Sequence, residues 1–130
     1  MHSFRVRVYF SDTDACGIVY HARYLDFAEH ARTEMLRAAL PEVPQRWLAC
    51  SGLMFVVRSI SIDYIRPAYL DDELQVISSM DKIGNVSAVI KQDIMREDDL
   101  IASISVRVGF IDGRTGKPSR IPAFIKDALA

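Results

Sequence analysis

Only one stretch of this chain has the period of a long helix, and almost everything after it has the period of strands. Tyr24, Leu25, Phe27, Ala28, Ala31, Met35, Leu36, Ala39 and Leu40 recur every three or four residues, while Asp26, Glu29, Arg32, Glu34 and Arg37 hold the other face. The spacing predicts an amphipathic helix of about five turns at ~3.6 residues per turn, ended by Pro41 and Pro44. One helix with one apolar stripe cannot close a core on itself. It must lie on a sheet.

The sheet is legible in the rest of the chain. Phe4, Val6, Val8 and Phe10 alternate with Arg5, Arg7 and Tyr9, the period of a half-buried strand. After the helix, Gln45 to Cys50 with Trp47 and Leu48 reads as a short second helix or turn before Gly52. Leu53 to Arg66 is then a long strand rich in β-branched and aromatic residues, stopped at Pro67. Glu73–Ile83, Val86–Arg96 and Leu100–Ile111 follow, separated by turn signals at Asp71-Asp72, Gly84-Asn85 and Glu97-Asp98-Asp99. Ile121 to Leu129 reads as a short closing helix that starts at Pro122. The order strand, helix, four hairpin-joined strands is α+β with a mostly antiparallel five-stranded sheet. A five-stranded sheet leaves two edges and a helix of this length covers part of one face, so self-association into a homodimer or larger homo-oligomer is expected.

The 130 residues, half of them hydrophobic, suit a single domain spanning 1–130. The 16 basic and 17 acidic residues are dispersed, which leaves no basic block for nucleic acid. No apolar run approaches the ~18 residues of a membrane span, the first residues carry charge where a secretory signal would be apolar, and Cys16 and Cys50 have no metal-ligand spacing. The expectation is a soluble, cytoplasmic protein with two free thiols and neither metal nor cofactor.

Chemistry is expected where strand period gives way to helix period, at Ser11-Asp12-Thr13-Asp14-Ala15-Cys16-Gly17-Ile18-Val19-Tyr20-His21. Asp12-Thr13-Asp14 reads as an Asx-type turn bonding its own backbone, or as a source of one carboxylate acting as base or nucleophile. From Ile18 to Arg23 no residue is a good N-cap, so the first N–H groups of the helix need another partner. Gly17 allows a positive φ and a close approach, which would let a ligand carbonyl sit on amides near Tyr20, His21 and Ala22 with Asp14 nearby. A polarised carbonyl beside a carboxylate is the minimum for acyl transfer. The His21 side chain on its own reads more readily as a packed or solvent-facing residue than as a catalyst, and a Cys16–His21 nucleophilic pair has no geometry defined by the sequence.

The run from Tyr9 to Arg37, with Phe55-Val56-Val57-Arg58 and Tyr64-Ile65-Arg66-Pro67-Ala68-Tyr69-Leu70-Asp71-Asp72, resembles the hotdog-fold acyl-CoA thioesterases of the 4-hydroxybenzoyl-CoA thioesterase family. It is most like the Tol–Pal-associated, YbgC-type branch of that family. The resemblance implies a five-stranded antiparallel sheet wrapped around the long helix, assembled into a homodimer or a homotetramer made of two dimers, with active sites at the subunit interface. It also implies an acyl-CoA substrate, Asp14 as the catalytic carboxylate, and the His21 amide as the group that polarises the thioester carbonyl, flanked by Tyr20 and Ala22. Many relatives have Gly or Pro where this chain has Ala15 or Cys16. Arg58 and Lys82 are candidates for the CoA phosphates, without a motif to assign them.

One carboxylate suits the reaction, because a thioester expels a thiolate with a pKa near ~8.5 and asks little of a general acid. The rival readings are an acyl-carrier-protein thioesterase and a non-catalytic module that binds acyl thioesters. The His-x-x-Gly-x-Pro loop of the hotdog dehydratases does not occur in the sequence. Leu53, Met54, Phe55 and Tyr64 are candidates for the wall of the acyl pocket, whose depth the sequence leaves open.

Overall fold

The computed structural model describes residues 1–44 and 52–130. Five strands, β1 (His2–Arg7), β2 (Leu53–Tyr64), β3 (Glu73–Ile83), β4 (Ser87–Arg96) and β5 (Asp99–Asp112), form one sheet in the order β1-β3-β4-β5-β2. Every neighbouring pair is antiparallel. Helix α1 (Arg23–Ala39) packs on one face over β1 and β3, and a short α2 (Ala123–Leu129) closes the chain. This is the α+β hotdog arrangement. The second helix or turn expected at Gln45–Cys50 lies outside the described residues.

The helix sits close to the sheet because its buried stripe is partly made of small residues. Tyr24 and Phe27 fill the N-terminal part of the contact, while Ala28 and Ala31, 1% and 0% exposed, let the backbone approach Leu74 and Val76 of β3. From β4 and β5, Ala88, Ile90, Ile94, Ala102, Ile104 and Val106 complete the inner layer with the alternation a half-buried strand requires. Each large side chain fully buried here contributes roughly 1.5–3 kcal/mol.

One polar group is built into this layer. Gln92 of β4 is fully buried, and its Nε2 donates to the Ala28 carbonyl (2.9 Å) and to Ser78 Oγ (3.0 Å). Its Oε1 accepts from Arg32 Nη1 at 3.0 Å. Helical period put Arg32 on the polar face, but the structure turns it inward, half-buried, because Gln92 offers an acceptor that water would otherwise supply. Burial pulls its guanidinium below the usual arginine range, with Glu29 opposing.

Two strands and the sheet order differ from the sequence expectation by more than a single residue at an element end. The first strand starts at His2 and stops at Arg7 rather than running from Phe4 to Phe10. Asp12 Oδ2 takes the Tyr9 N–H at 2.8 Å and the Asp12 N–H bonds the Tyr9 carbonyl, so Phe10–Asp12 is a turn of 3-10 helix and Phe10 is 81% exposed. A side chain that captures backbone donors outcompetes the ladder there. The strand expected at Leu53–Arg66 ends at Tyr64, where the Ile65 and Arg66 N–H groups both turn onto the Ile101 carbonyl.

The third difference concerns topology. β2 is not hairpin-joined to β3: it pairs with β5 at the far edge of the sheet, and only β3, β4 and β5 form a meander. The link from Pro67 to Asp72 has its own anchors. Ala68 is fully buried, its N–H donates to the Tyr24 hydroxyl (3.3 Å), and its carbonyl accepts from the Val19 N–H (2.9 Å). The crossing segment thereby supports the loop before α1.

Candidate active site

Residues 13–19 form a small hairpin closed by a Thr13–Val19 bridge, and Ile18 makes a second bridge to Tyr69. The Asp14 N–H donates to the Ile18 carbonyl (2.9 Å), and the Asp14 carbonyl accepts from the Gly17 N–H (3.1 Å). Gly17 has φ +81° with open space around the position of a Cβ, so it is the backbone angle, not crowding, that asks for glycine. The hairpin returns the chain to Tyr20, whose N–H donates to the Asp12 carbonyl (2.9 Å), and from there to α1.

The two aspartates have different surroundings. Asp12 is committed on both oxygens: Oδ2 accepts from the Tyr9 N–H, and Oδ1 lies 3.3 Å from Arg23 Nε. Arg23 also reaches the Ser11 carbonyl (3.1 Å) and Asp26 (3.2 Å), which neutralises a cation at the positive end of the helix. Asp14 is half-buried, and its Oδ1 accepts from the Cys16 N–H at 2.8 Å. Among the described residues, Oδ2 of Asp14 has no partner. The Asx turn and the available carboxylate, alternatives in the sequence, therefore coexist in one side chain.

The start of α1 is bare, as its sequence indicates. Ala22 stands at the N-cap with φ −75° and ψ −18°, and no side chain among the described residues caps the helix. The Tyr20 N–H is taken by Asp12, which removes it from the expected set of free donors. The N–H groups of His21 and Ala22 have no acceptor among the described residues, and the helix dipole makes both favourable to negative charge. A carboxylate oxygen and two unused amides thus flank the same loop.

Beside the helix start lies a cleft of about 330 Å³ lined by Val19, His21, Tyr24, Tyr64, Ile65 and Pro67. His21 is exposed, with its ring 4.5 Å from that of Tyr20 and 6.5 Å from that of Tyr64. Burial raises the Tyr24 phenol above its ordinary range, so it stays neutral. A second, largely apolar cleft of about 230 Å³ runs further along α1 between Arg32, Leu36, Phe55 and Val57. Phe55 and Tyr64 are therefore cleft residues; Met54 is an exposed β2 residue that lines neither cleft, and the Leu53 side chain lies outside the described residues.

Arg58 and Lys82 are not brought to this site within one protomer. Lys82, Val89, Arg107 and Ser59 form one cross-strand row, flanked on β4 by the inward-facing Ala88 and Ile90. That row faces away from α1. Arg58 occupies a bulge in β2 and lies across Gly109 on the same outer side. Cys16 is exposed and free at the tip of the hairpin, with only its amide engaged by Asp14.

Fold and site together define a hotdog protein in which the loop leading to an uncapped helix start carries a carboxylate with one oxygen engaged by its own hairpin. The chain belongs to the thioesterase-like superfamily, whose family model matches residues 8–129. It is 42% identical over 127 residues to the acyl-CoA thioesterase YbgC of Haemophilus influenzae, covering 98% of this chain and 93% of that one. It is 33% identical over 138 residues to the acyl-CoA thioesterase YbgC of Helicobacter pylori, at 97% and 98% coverage. Among solved structures, a probable thioesterase from Bartonella henselae superimposes with a TM-score of 0.85 at 36% identity, covering 93% of this chain and 98% of that one. A hypothetical protein from Aquifex aeolicus reaches a TM-score of 0.91 at 27% identity, with 98% of each chain covered.

Proposed function

We propose that this chain is an acyl-CoA thioesterase that hydrolyses the thioester to a free carboxylic acid and CoA, with Asp14 as the catalytic carboxylate. The observation behind the reading is the pairing of a half-committed carboxylate with unused amides at an uncapped helix start. The thioester carbonyl would lie with its oxygen on the His21 and Ala22 N–H groups. As the carbonyl carbon becomes tetrahedral, the oxyanion stays on these donors, an interaction worth about 3 kcal/mol in comparable sites. Two routes are open to the free Asp14 oxygen: taking a proton from an attacking water, or attacking the carbonyl carbon to give a mixed anhydride that water opens. Both end with the carbon–sulfur bond broken and the thiolate released. In a single turnover in ¹⁸O-labelled water, label in the Asp14 carboxyl identifies the anhydride route with water adding at the aspartyl carbon, since neither direct hydrolysis nor opening at the acyl carbon leaves it there.

The same proposal includes a homodimer formed along β2. Among the described residues its outer edge has no partner strand, and Val57 and Ile60 on its inner face are 47% and 37% exposed. A second β2 would extend the sheet and cover these side chains. Contacts from Arg58 or Lys82 to CoA phosphates would then have to come from the second copy. The acyl-CoA thioesterases to which the chain is similar support a CoA ester as the substrate.

Release of CoA thiol from a panel of short, aromatic and long-chain acyl-CoAs, with matched acyl-carrier-protein thioesters, tests the function. Turnover of at least one acyl-CoA supports the reading. Binding without release by every member would make the chain a carrier module, and release from carrier-protein thioesters alone would replace the CoA assignment.

A further inference from the structure

The start of α1 consists of two consecutive peptide units hinged at the Cα of His21. A trans peptide directs its carbonyl and its N–H in nearly opposite directions, so a group that holds one end aims the other. The Tyr20–His21 unit is held at its carbonyl by the Arg23 N–H, at 2.8 Å. The His21–Ala22 unit is held at its carbonyl by the Tyr64 hydroxyl, at 2.9 Å. In a regular helix the His21 carbonyl would accept from the Leu25 N–H, but that group bonds the Ala22 carbonyl instead, at 3.2 Å. The tightened first turn leaves the His21 carbonyl to a side chain that arrives from β2, 43 residues away in sequence.

The ring that delivers this hydroxyl is itself placed. It meets the buried Tyr24 ring edge-on at 5.7 Å and the His21 ring at 6.5 Å. Tyr24 in turn accepts the Ala68 N–H, so the hydroxyl is referenced to the core and not only to the loop. Both peptide units are clamped from their carbonyl sides, and their N–H sides are the two unused donors.

We infer that Tyr64 is a positioning residue for thioester hydrolysis: by holding the His21 carbonyl, its hydroxyl aims the His21 and Ala22 N–H groups at the thioester oxygen. The bond also draws electron density toward the carbonyl oxygen and makes the Ala22 N–H a stronger donor, the cooperative effect of chained hydrogen bonds. Preorganised donors act because they need no reorganisation when charge develops. Without the clamp the His21–Ala22 unit can tilt, and the oxyanion loses part of its support. The inference rests on the oxyanion reading of the helix start given above.

The test compares the wild-type chain with Tyr64→Phe, which keeps the ring and loses the hydroxyl, and Tyr64→Leu, which loses both. For each, kcat and KM are measured with an acyl-CoA that the wild type turns over. Affinity is measured for a CoA thioether lacking the carbonyl. The infrared C=O stretch is recorded for a bound ketone analogue in which CH2 replaces the sulfur. Tyr64→Phe is expected to lower kcat about tenfold, a fraction of the 10²–10³ lost when an oxyanion donor is removed outright, and thioether affinity is expected to stay within about twofold. The C=O stretch should move back toward its value in water, and Tyr64→Leu should lose no more rate than Tyr64→Phe. Wild-type kcat in Tyr64→Phe, a rate loss with an unmoved stretch, or a loss confined to Tyr64→Leu would each overturn the role of the hydroxyl. A wild type that releases no CoA from any acyl-CoA defeats the function reading, and this inference with it. Turnover by the wild type that is unaffected by Tyr64→Phe defeats this inference alone.

Discussion

Asp12 and Asp14 are the same side chain two positions apart, and only their hydrogen bonds separate them. Asp12 joins the 3-10 turn to α1 through Tyr9 and Arg23, while Asp14 spends one oxygen on its own hairpin and keeps the other. Nothing in the local sequence distinguishes these states. The resemblance selected Asp14; the structure shows only that the two carboxylates differ in which oxygens are engaged. The Tyr64 bond to His21 was not legible at all, since it joins residues on different elements and no spacing rule spans that separation. Tyr24 allows a pH prediction at this scale. Its phenol is raised in the folded state, so the neutral form is favoured there. That stability is fully present below the unfolded value near ~10 and is lost as pH rises through the folded value. Tyr24→Phe is expected to flatten the loss of stability above pH ~10, read as denaturant midpoints across pH 8 to 11.5. An unchanged alkaline slope would show that Tyr24 is not its source.

At the scale of elements, the periods in the sequence located α1 and all five strands. They failed where a side chain competes with the backbone or where the partner is distant. Asp12 shortened β1, and Arg32 left the polar face because Gln92 Oε1 accepts a hydrogen bond from it inside the layer. The pairing of β2 with β5 rather than β3 depends on the anchored crossing at Ala68, which no hairpin signal reports. The Gln92 clip gives a stability prediction. Gln92→Leu matches its volume closely but leaves Ser78 and Arg32 without their buried partner, and an unsatisfied buried polar group costs about 1–3 kcal/mol. The variant is expected to unfold at lower denaturant with an unchanged m-value. Stability equal to wild type would show that Arg32 finds water at no cost. Gly17→Ala is a second check on an element boundary: the positive φ predicts a loss of roughly 1–2 kcal/mol with no steric clash to relieve.

For the molecule as a whole, the free edge of β2 and its half-exposed apolar face set the expected assembly. Val57→Lys and Ile60→Lys place charges on the face a second copy would cover. Sedimentation of the wild type as a dimer or a tetramer, and of the double variant as a smaller species, is the expected result; a monomeric wild type would remove β2 from the account. The candidate donors and the carboxylate come from the single stretch Asp14–Ala22, flanked by the Asp12–Arg23 ion pair and held by Tyr64 and Ala68 from elsewhere in the fold, and Tyr64, Ile65 and Pro67 complete the cleft. The claim on which the functional account turns is that the uncommitted Asp14 oxygen performs the chemistry. It is tested most directly by measuring CoA release and thioester binding by Asp14→Asn, with Asp12→Asn alongside. The account predicts that Asp14→Asn binds the acyl-CoA about as well as wild type and loses nearly all hydrolysis, while Asp12→Asn loses less, through a disturbed turn. Hydrolysis by Asp14→Asn at the wild-type rate would contradict it.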